Sequence, residues 1–419
     1  MLICVKKEPS PGLFKGRWTK KEGFLLAGTI WGVGLLYELF FGALPSIPPF
    51  PLNIILLALL AGITAALHTL HKQTELVKWH RSMEGALFST GLFTCQILLL
   101  GFIPQQDKGS GFLSALGLSH IVSGWPFALS LMWMLLSLGL VIAGRIGKRL
   151  TLRNSGFLLN HGGLWIILVG MSVGSGDLME MHLTAVRGVP VNHERGPQIL
   201  NRLPFSVQLE DFQIEYHPPK IALFDPFEEG VPEIQKSFPF ARENQTIRIK
   251  DWELTPIQVL TDVVPSKEGY IPSDSLEGGS AVYIRSKHRE SGELSEGWAF
   301  SGSLLHESGS LFLGNNTQLS VFRPEPRKYR SVLTLMKSSG QRDSFQLEVN
   351  QPISYEGWKI YQSGYNTSMG SRSQTSVLYL IRDPWLPCIY LGIFMLFAGG
   401  LLMTWTGRPV MLNVEKTKE

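Results

Sequence analysis

The sequence predicts a membrane α + β protein: six transmembrane helices, with a large antiparallel β-rich extracytoplasmic domain between helices five and six. Three observations carry this. Six long apolar runs occur along the chain. The polar stretch between the fifth and sixth alternates apolar and polar residues in the manner of strands. Basic residues crowd into every second connection between the runs.

A helix needs about 20 apolar residues to cross the hydrocarbon core. Residues 24–44, 126–144 and 385–405 meet that length, and the shorter or more polar runs 53–70, 86–103 and 157–174 complete the set. The first run is too long for a signal peptide and lacks a small-residue cleavage site, so it is expected to remain as an anchor. The chain therefore divides into a cytoplasmic N-terminus (1–23), an N-terminal hairpin (24–70), a three-helix segment (84–177), an outer β-sandwich-like domain (178–383), a last helix (384–406) and a cytoplasmic tail (407–419). Orientation follows from Lys6, Lys7, Lys15, Arg17, Lys20 and Lys21 before the first run, Lys72, Lys78 and Arg81 after the second, and Arg145, Lys148, Arg149 and Arg153 after the fourth. Residues 45–52 carry no basic residue and 104–125 only Lys108, so both termini are expected inside. This bias accounts for the net charge of +4 and gives no reason to invoke nucleic acid.

Cys4, Cys95 and Cys388 all lie outside the outer domain, which is expected to fold by burial alone. Without a C-x-x-C or C-x-x-C-H the chain is neither a thiol–disulfide exchanger nor itself a c-type cytochrome. Strands are expected at 205–216, with a bulge at Glu210–Asp211, and at 246–260, 280–286, 299–313, 331–337 and 344–350. The Gly- and Ser-rich segment 262–279 reads as a loop. His182, His193, His217, His288 and His306 are scattered without metal-ligand spacing and read as ordinary histidines. No hydrolase signature occurs, and the paired broken helices of many secondary transporters are missing.

Several stretches, in order, resemble the ResB family of cytochrome c biogenesis proteins. VNQPISYEGWKIYQSGYN (349–366) resembles the segment that precedes that family's last span, and SVLYLIRDPWLPCIYLGIFMLFAGGLLM (376–403) resembles the span itself. GFIPQ (101–105), LGL (116–118), GWPF (124–127) and LPFSVQLEDFQIEY (203–216) are similar to its first outer loop and the start of its outer domain. The chain departs from the family in its extra hairpin at 24–70, and in reading His161-Gly162-Gly163-Leu164 where His-Leu-Gly-Leu is usual. The resemblance implies a subunit of a System II-type cytochrome c synthase on the bacterial cytoplasmic membrane. Such a subunit helps carry haem b across the bilayer and present it for thioether attachment to apocytochrome c. It would work with a separate, tryptophan-rich, multi-span ResC/CcsA-like subunit, as a non-catalytic or accessory member of the haem-lyase complex.

His161 lies just inside the fifth run, where a neutral imidazole suits axial ligation of haem iron. Gly163, Gly170 and Gly174 share one helix face, fit for close helix contact; His161, Trp165, Leu168 and Ser172 share the opposite one. The residues alone leave open whether His161 binds iron or only hydrogen-bonds a neighbouring carbonyl. The resemblance implies that it is the haem ligand, with Trp165 as a haem or partner contact. His68, in the added hairpin, is a rival ligand. Glu38 is expected to snorkel or pair with another helix, Asp177 and Glu180 to be solvated, and Tyr361 and Tyr365 to lie near the membrane interface while Trp358 and Ile360 point into the sandwich. The alternative to haem handling is a scaffold that binds no haem and stabilises the partner.

Overall fold

A computed structural model describes residues 18–105, 112–194, 202–224, 238–267, 269–273, 278–303, 305–314, 316–367, 369 and 373–406. The basic residues Lys6, Lys7, Lys15, Arg17 and Lys108, Cys4, and the tail after Thr406 lie outside the described residues. The chain forms two compact units, residues 1–179 with 383–419 and residues 180–382.

The first unit is helical: α1 (Lys20–Phe41), α2 (Leu52–Leu70), α3 (Glu75–His80), α4 (Met83–Phe102), α5 (Phe112–Ala115), α6 (Trp125–Ile146), α7 (Leu152–Val173) and, after the second unit, α8 (Leu386–Trp405). Six of these, α1, α2, α4, α6, α7 and α8, are long and apolar enough to cross a membrane, which marks the chain as a membrane protein. Their ends are set by local chemistry. Thr19 and Glu22 form a capping box at α1, the Ser82 hydroxyl accepts from the Gly85 amide at α4, and Thr151 caps α7.

α7 and α8 make the closest pair, and glycine is why. A Cβ on Gly156 would lie 2.9 Å from Leu402 Cβ, one on Gly170 2.8 Å from Ile389 Cγ1, and one on Gly399 2.7 Å from the Gly156 oxygen. The glycine face expected of the fifth span is thus the face that receives the sixth. Asn160 Nδ2 adds a hydrogen bond to the Leu396 carbonyl across the seam (3.1 Å).

The second unit holds β1 (Met179–Val186), β2 (Val191–His193), β3 (Arg202–Tyr216), β4 (Ile221–Phe224), β5 (Ile247–Ile249), β6 (Trp252–Ser266), β7 (Gly269–Pro272), β8 (Gly279–His288), β9 (Leu294–Phe300), β10 (Leu311–Gly314), β11 (Thr317–Val321), β12 (Pro326–Lys337), β13 (Arg342–Glu348), β14 (Ile353–Tyr355), β15 (Trp358–Tyr365) and β16 (Thr375–Arg382). Sheets β1-β16-β15-β14 and β13-β12-β3-β2 enclose one core, which includes Leu183, Val207, Leu335, Ile360 and Leu380. Sheets β5-β6-β8-β9 and β10-β11-β4 enclose a second around Trp252, Leu254, Ile284 and Leu319. Within this one unit, β4–β11 build their own cluster with a smaller one around Val263, Ala281 and Phe300, and both ends of the segment build the first core. Alternation tells which face of a strand is buried but not which sheet it meets.

The bulge expected at Glu210–Asp211 is present, since β12 pairs Val332 with Asp211 and the next residue, Leu333, with Leu209. Residues 246–260 are not one strand. Lys250, at φ +51°, and Asp251 turn β5 back onto β6, pairing Ile249 with Trp252. Nor is 262–279 only a loop, because Val263–Ser266 pair with Gly269–Pro272. The stretch 299–313 divides between the end of β9 and β10.

The YEGW run is a hairpin turn. Glu356 (φ +48°) and Gly357 (φ +80°) form a two-residue loop between the paired Tyr355 and Trp358, and the left-handed backbone explains the glycine. Trp358 and Ile360 are buried as expected, but Tyr365 packs on Phe212 and Tyr329 in the first core rather than standing apart from it. Gln362 is a polar staple: its Oε1 accepts from Ser331 Oγ (2.7 Å) and its Nε2 donates to Ser376 Oγ (2.8 Å). Trp358 Nε1 is buried with no partner among the described residues. Trp358→Phe is therefore expected to change stability by less than about 1 kcal/mol, because it also removes an unsatisfied donor, whereas Trp358→Ala should cost about 3–5 kcal/mol. Thermal unfolding of the two variants checks this contrast.

Candidate functional site

The site is built at the basic end of the helical unit, where the α2–α3–α4 and α6–α7 connections meet. Starting α7 at Leu152 places His161 nine residues along the helix, about 13 Å from its first residue at 1.5 Å per residue. The His161 Nδ1–H donates to the Phe157 carbonyl one turn earlier (3.0 Å), and the imidazole stacks on the Phe157 ring with centroids 3.8 Å apart. A carbonyl can only accept, so Nδ1 holds the proton and the lone pair is on Nε2. Nε2 has no partner among the described residues, and His161 lines a groove of about 680 Å³. The carbonyl hydrogen bond and iron ligation, rival readings in the sequence, are thus compatible: the first fixes the tautomer that the second requires.

Four cations share the groove: Lys78 from α3, Arg81 from the α3–α4 turn, Arg145 from the last turn of α6 and Lys148 just beyond it. The Arg145 guanidinium lies over the Phe157 ring, 4.5 Å from its centroid. Lys78 is paired with Glu75 (3.0 Å). Among the described residues no group of three or more His, Cys, Asp and Glu could hold a bare metal ion. A porphyrin, which brings four nitrogens of its own and needs only an axial donor from the protein, fits a lone open imidazole beside basic residues.

Trp165 does not line this groove. Its indole N–H donates to the Leu135 carbonyl of α6 (3.2 Å), so it is committed to helix packing. His68, on α2, is also outside the lining, and its Nδ1 is buried without a partner among the described residues. The structure does not bring His68 and His161 together in one cavity.

Three histidines escaped the sequence reading: His71, exposed just after α2, and two with defined partners. His80 is a satisfied core residue: Nδ1–H donates to the Leu76 carbonyl (2.8 Å) and Nε2 accepts from Trp133 Nε1 (3.0 Å). Burial holds its pKa below the ordinary imidazole value, in keeping with that neutral role. His120, at the other end of the bundle, meets Glu38 at 2.8 Å through Nε2, while the second Glu38 oxygen accepts the Trp125 amide (2.9 Å). Glu38 is buried, so of the two fates expected for it, pairing holds and snorkelling does not. A buried carboxylate needs a partner, and that demand was the available signal for His120.

Asp177 is not a solvated exit residue. Its carboxylate accepts from the Phe50 amide (2.7 Å), Asn53 Nδ2 (2.6 Å) and Trp385 Nε1 (2.8 Å), fastening the start of α2 and the start of α8 to the end of α7. Glu180, in the other unit, accepts a hydrogen bond from Tyr379, whose pKa is pushed up to about 12 by burial first and by this bond second.

Six apolar helices and an antiparallel β unit between the fifth and sixth define a membrane protein, and one end of its helical unit sets the His161 imidazole in a basic groove. Residues 316–378, which run from β11 into β16, match the ResB-like family. No curated protein matches the chain.

Proposed function

We propose that the chain is the haem-handling subunit of a System II-type cytochrome c synthase, receiving haem b at the basic groove and helping to pass it across the bilayer to apocytochrome c. The observation that carries this reading is the open Nε2 of His161, with its tautomer fixed by Phe157, in a groove lined by four cations and, among the described residues, no carboxylate. The positive-inside bias supports a reading with the basic end of the bundle in the cytoplasm and the β unit outside. Haem, when bound, would supply the iron and the vinyl groups for thioether formation. His161 would hold it through Nε2, with Phe157, itself under the Arg145 guanidinium, fixing the imidazole's position. No residue of this chain acts as nucleophile or general acid; its contribution is to position the ligand. The remaining haem-binding residues would come from a tryptophan-rich, ResC/CcsA-like partner.

A scaffold that binds no haem is the competing reading. It draws on the matched segment, whose motif residues Trp358 and Gln362 serve only to pack the β unit. The visible spectrum of the purified complex separates the two. His161→Ala is expected to remove most of the Soret absorbance and to abolish c-type cytochromes in cells with b-type spectra intact, while His68→Ala leaves the Soret band in place. An unchanged Soret band in His161→Ala would overturn haem ligation here and favour the scaffold.

A further inference from the structure

We propose that Arg81, Arg145 and Lys148 form a recognition cradle for the two propionate carboxylates of a porphyrin whose iron faces His161. This inference rests on the haem-handling reading and adds the orientation of the ligand and the basis of its selection. Membrane topology alone explains why this end of the bundle is basic. It does not explain why these particular side chains turn into the groove that holds the open imidazole, while Lys72, Arg149 and Arg153 from the same connections do not line it.

Nor does it explain their lack of counter-charge. Lys78 is neutralised by Glu75, but among the described residues no carboxylate lies within 4.0 Å of Arg81, Arg145 or Lys148. Converging cations with no anion in the groove are arranged for an anion that arrives from elsewhere. Phe157 gives the direction. It stacks on His161 and carries the Arg145 guanidinium on the same ring, so the cationic layer begins one helical turn from the imidazole, toward the start of α7. A porphyrin carries both carboxylates on one edge. With its iron at Nε2, that edge points to the basic end and the vinyl edge points into the bundle, which is the order needed for the vinyl groups to lead across the membrane. Gly144 belongs to the same device: a Cβ there would lie 2.7 Å from Arg81 Cζ, so its absence lets the guanidinium lie flat against α6.

The test uses the full-length chain with its partner subunit in phosphatidylcholine vesicles. Its probes are iron-free protoporphyrin IX, which keeps both carboxylates, and protoporphyrin IX dimethyl ester, which keeps the ring and loses both charges. Binding is read by fluorescence. The double variant Arg81→Gln, Lys148→Gln is expected to weaken protoporphyrin binding roughly tenfold, the weight of about one charge-assisted hydrogen bond, and to leave the ester unchanged. Gly144→Ala, which displaces Arg81 without removing charge, should shift the same probe in the same direction by a smaller factor.

Equal loss of both probes, or loss of neither, would overturn the cradle. So would wild-type binding that falls to the variant's level when phosphatidylglycerol replaces phosphatidylcholine, because lipid headgroups would then be the occupants. Neither probe contains iron, so a failure of His161 ligation in the Soret experiment is read separately from a failure here.

Discussion

Gly163→Leu is expected to part α7 from α8 and to leave little folded helical unit. A Cβ at Gly163 would lie 2.6 Å from the Leu396 amide nitrogen and 3.0 Å from Met395 Cβ. The first of these is backbone, so no rotamer change relieves it and the helices themselves must separate. Separation would also stretch the Asn160–Leu396 hydrogen bond and the other glycine contacts along the seam. Overpacking a core costs about 1–3 kcal/mol where side chains can give way; a Cβ against backbone exceeds that range, so Gly163→Ala is already strongly destabilising and Gly163→Leu more so. The neighbouring Gly162 is the control, since a Cβ there meets only Met395 Cε, at 3.7 Å, an ordinary contact. Thermal unfolding in detergent, with cysteine cross-linking between α7 and α8, should find Gly162→Ala close to wild type and Gly163→Leu unpaired. Comparable behaviour of the two would mean that the seam is not held by glycine contact.

That seam shows what a sequence can and cannot disclose. The spacing of Gly163, Gly170 and Gly174 puts them on one face by helix geometry alone, and a face without side chains calls for a close neighbour. Which helix supplies the neighbour is a matter of tertiary arrangement, and α8 lies beyond the whole β unit in the chain. The Glu210 bulge was legible for the same local reason, an interrupted period of two. The turn at Lys250–Asp251 was not, because two polar residues in succession interrupt the alternation there just as they do at the bulge, and the positive φ falls on a lysine rather than a glycine. The separate cores of the β unit were hidden because burial periodicity names a face and not a partner sheet.

The candidate site divides along the same line. His161 stood out as an ionisable residue inside an apolar run. The basic residues beside it read only as a topology signal, since their convergence depends on how α3, α6 and α7 pack. Trp165 shares the His161 face on a helical wheel, yet α6 lies against it and takes its indole. Glu38 and His120 are 82 residues apart, and only the fold brings them to 2.8 Å.

Asp177→Ala is expected to loosen the end of the bundle opposite the groove. Three donors converge on this carboxylate, and Asn53 is fully buried, so removing the acceptor leaves its amide only the longer bond to the Val173 carbonyl (3.4 Å). Hydrogen bonds to a charged group contribute about 1.5–3 kcal/mol each and do not add when they share one partner, so a total loss of about 3–5 kcal/mol is expected. Asp177→Asn keeps one acceptor oxygen. The Asn53 and Trp385 donors both reach Oδ2 while the Phe50 amide reaches Oδ1, so either orientation of the new amide turns an N–H onto at least one donor, and an intermediate loss follows. Trp385→Phe gives up a single bond and should cost about 1–3 kcal/mol. Thermal unfolding should therefore rank Asp177→Ala below Asp177→Asn, and both below Trp385→Phe, with the Soret band of surviving folded complex unmoved because His161 is at the other end of α7. A spectral change as large as that of His161→Ala would instead mean that the two ends of α7 are coupled, and that the ligand position depends on how α8 is anchored.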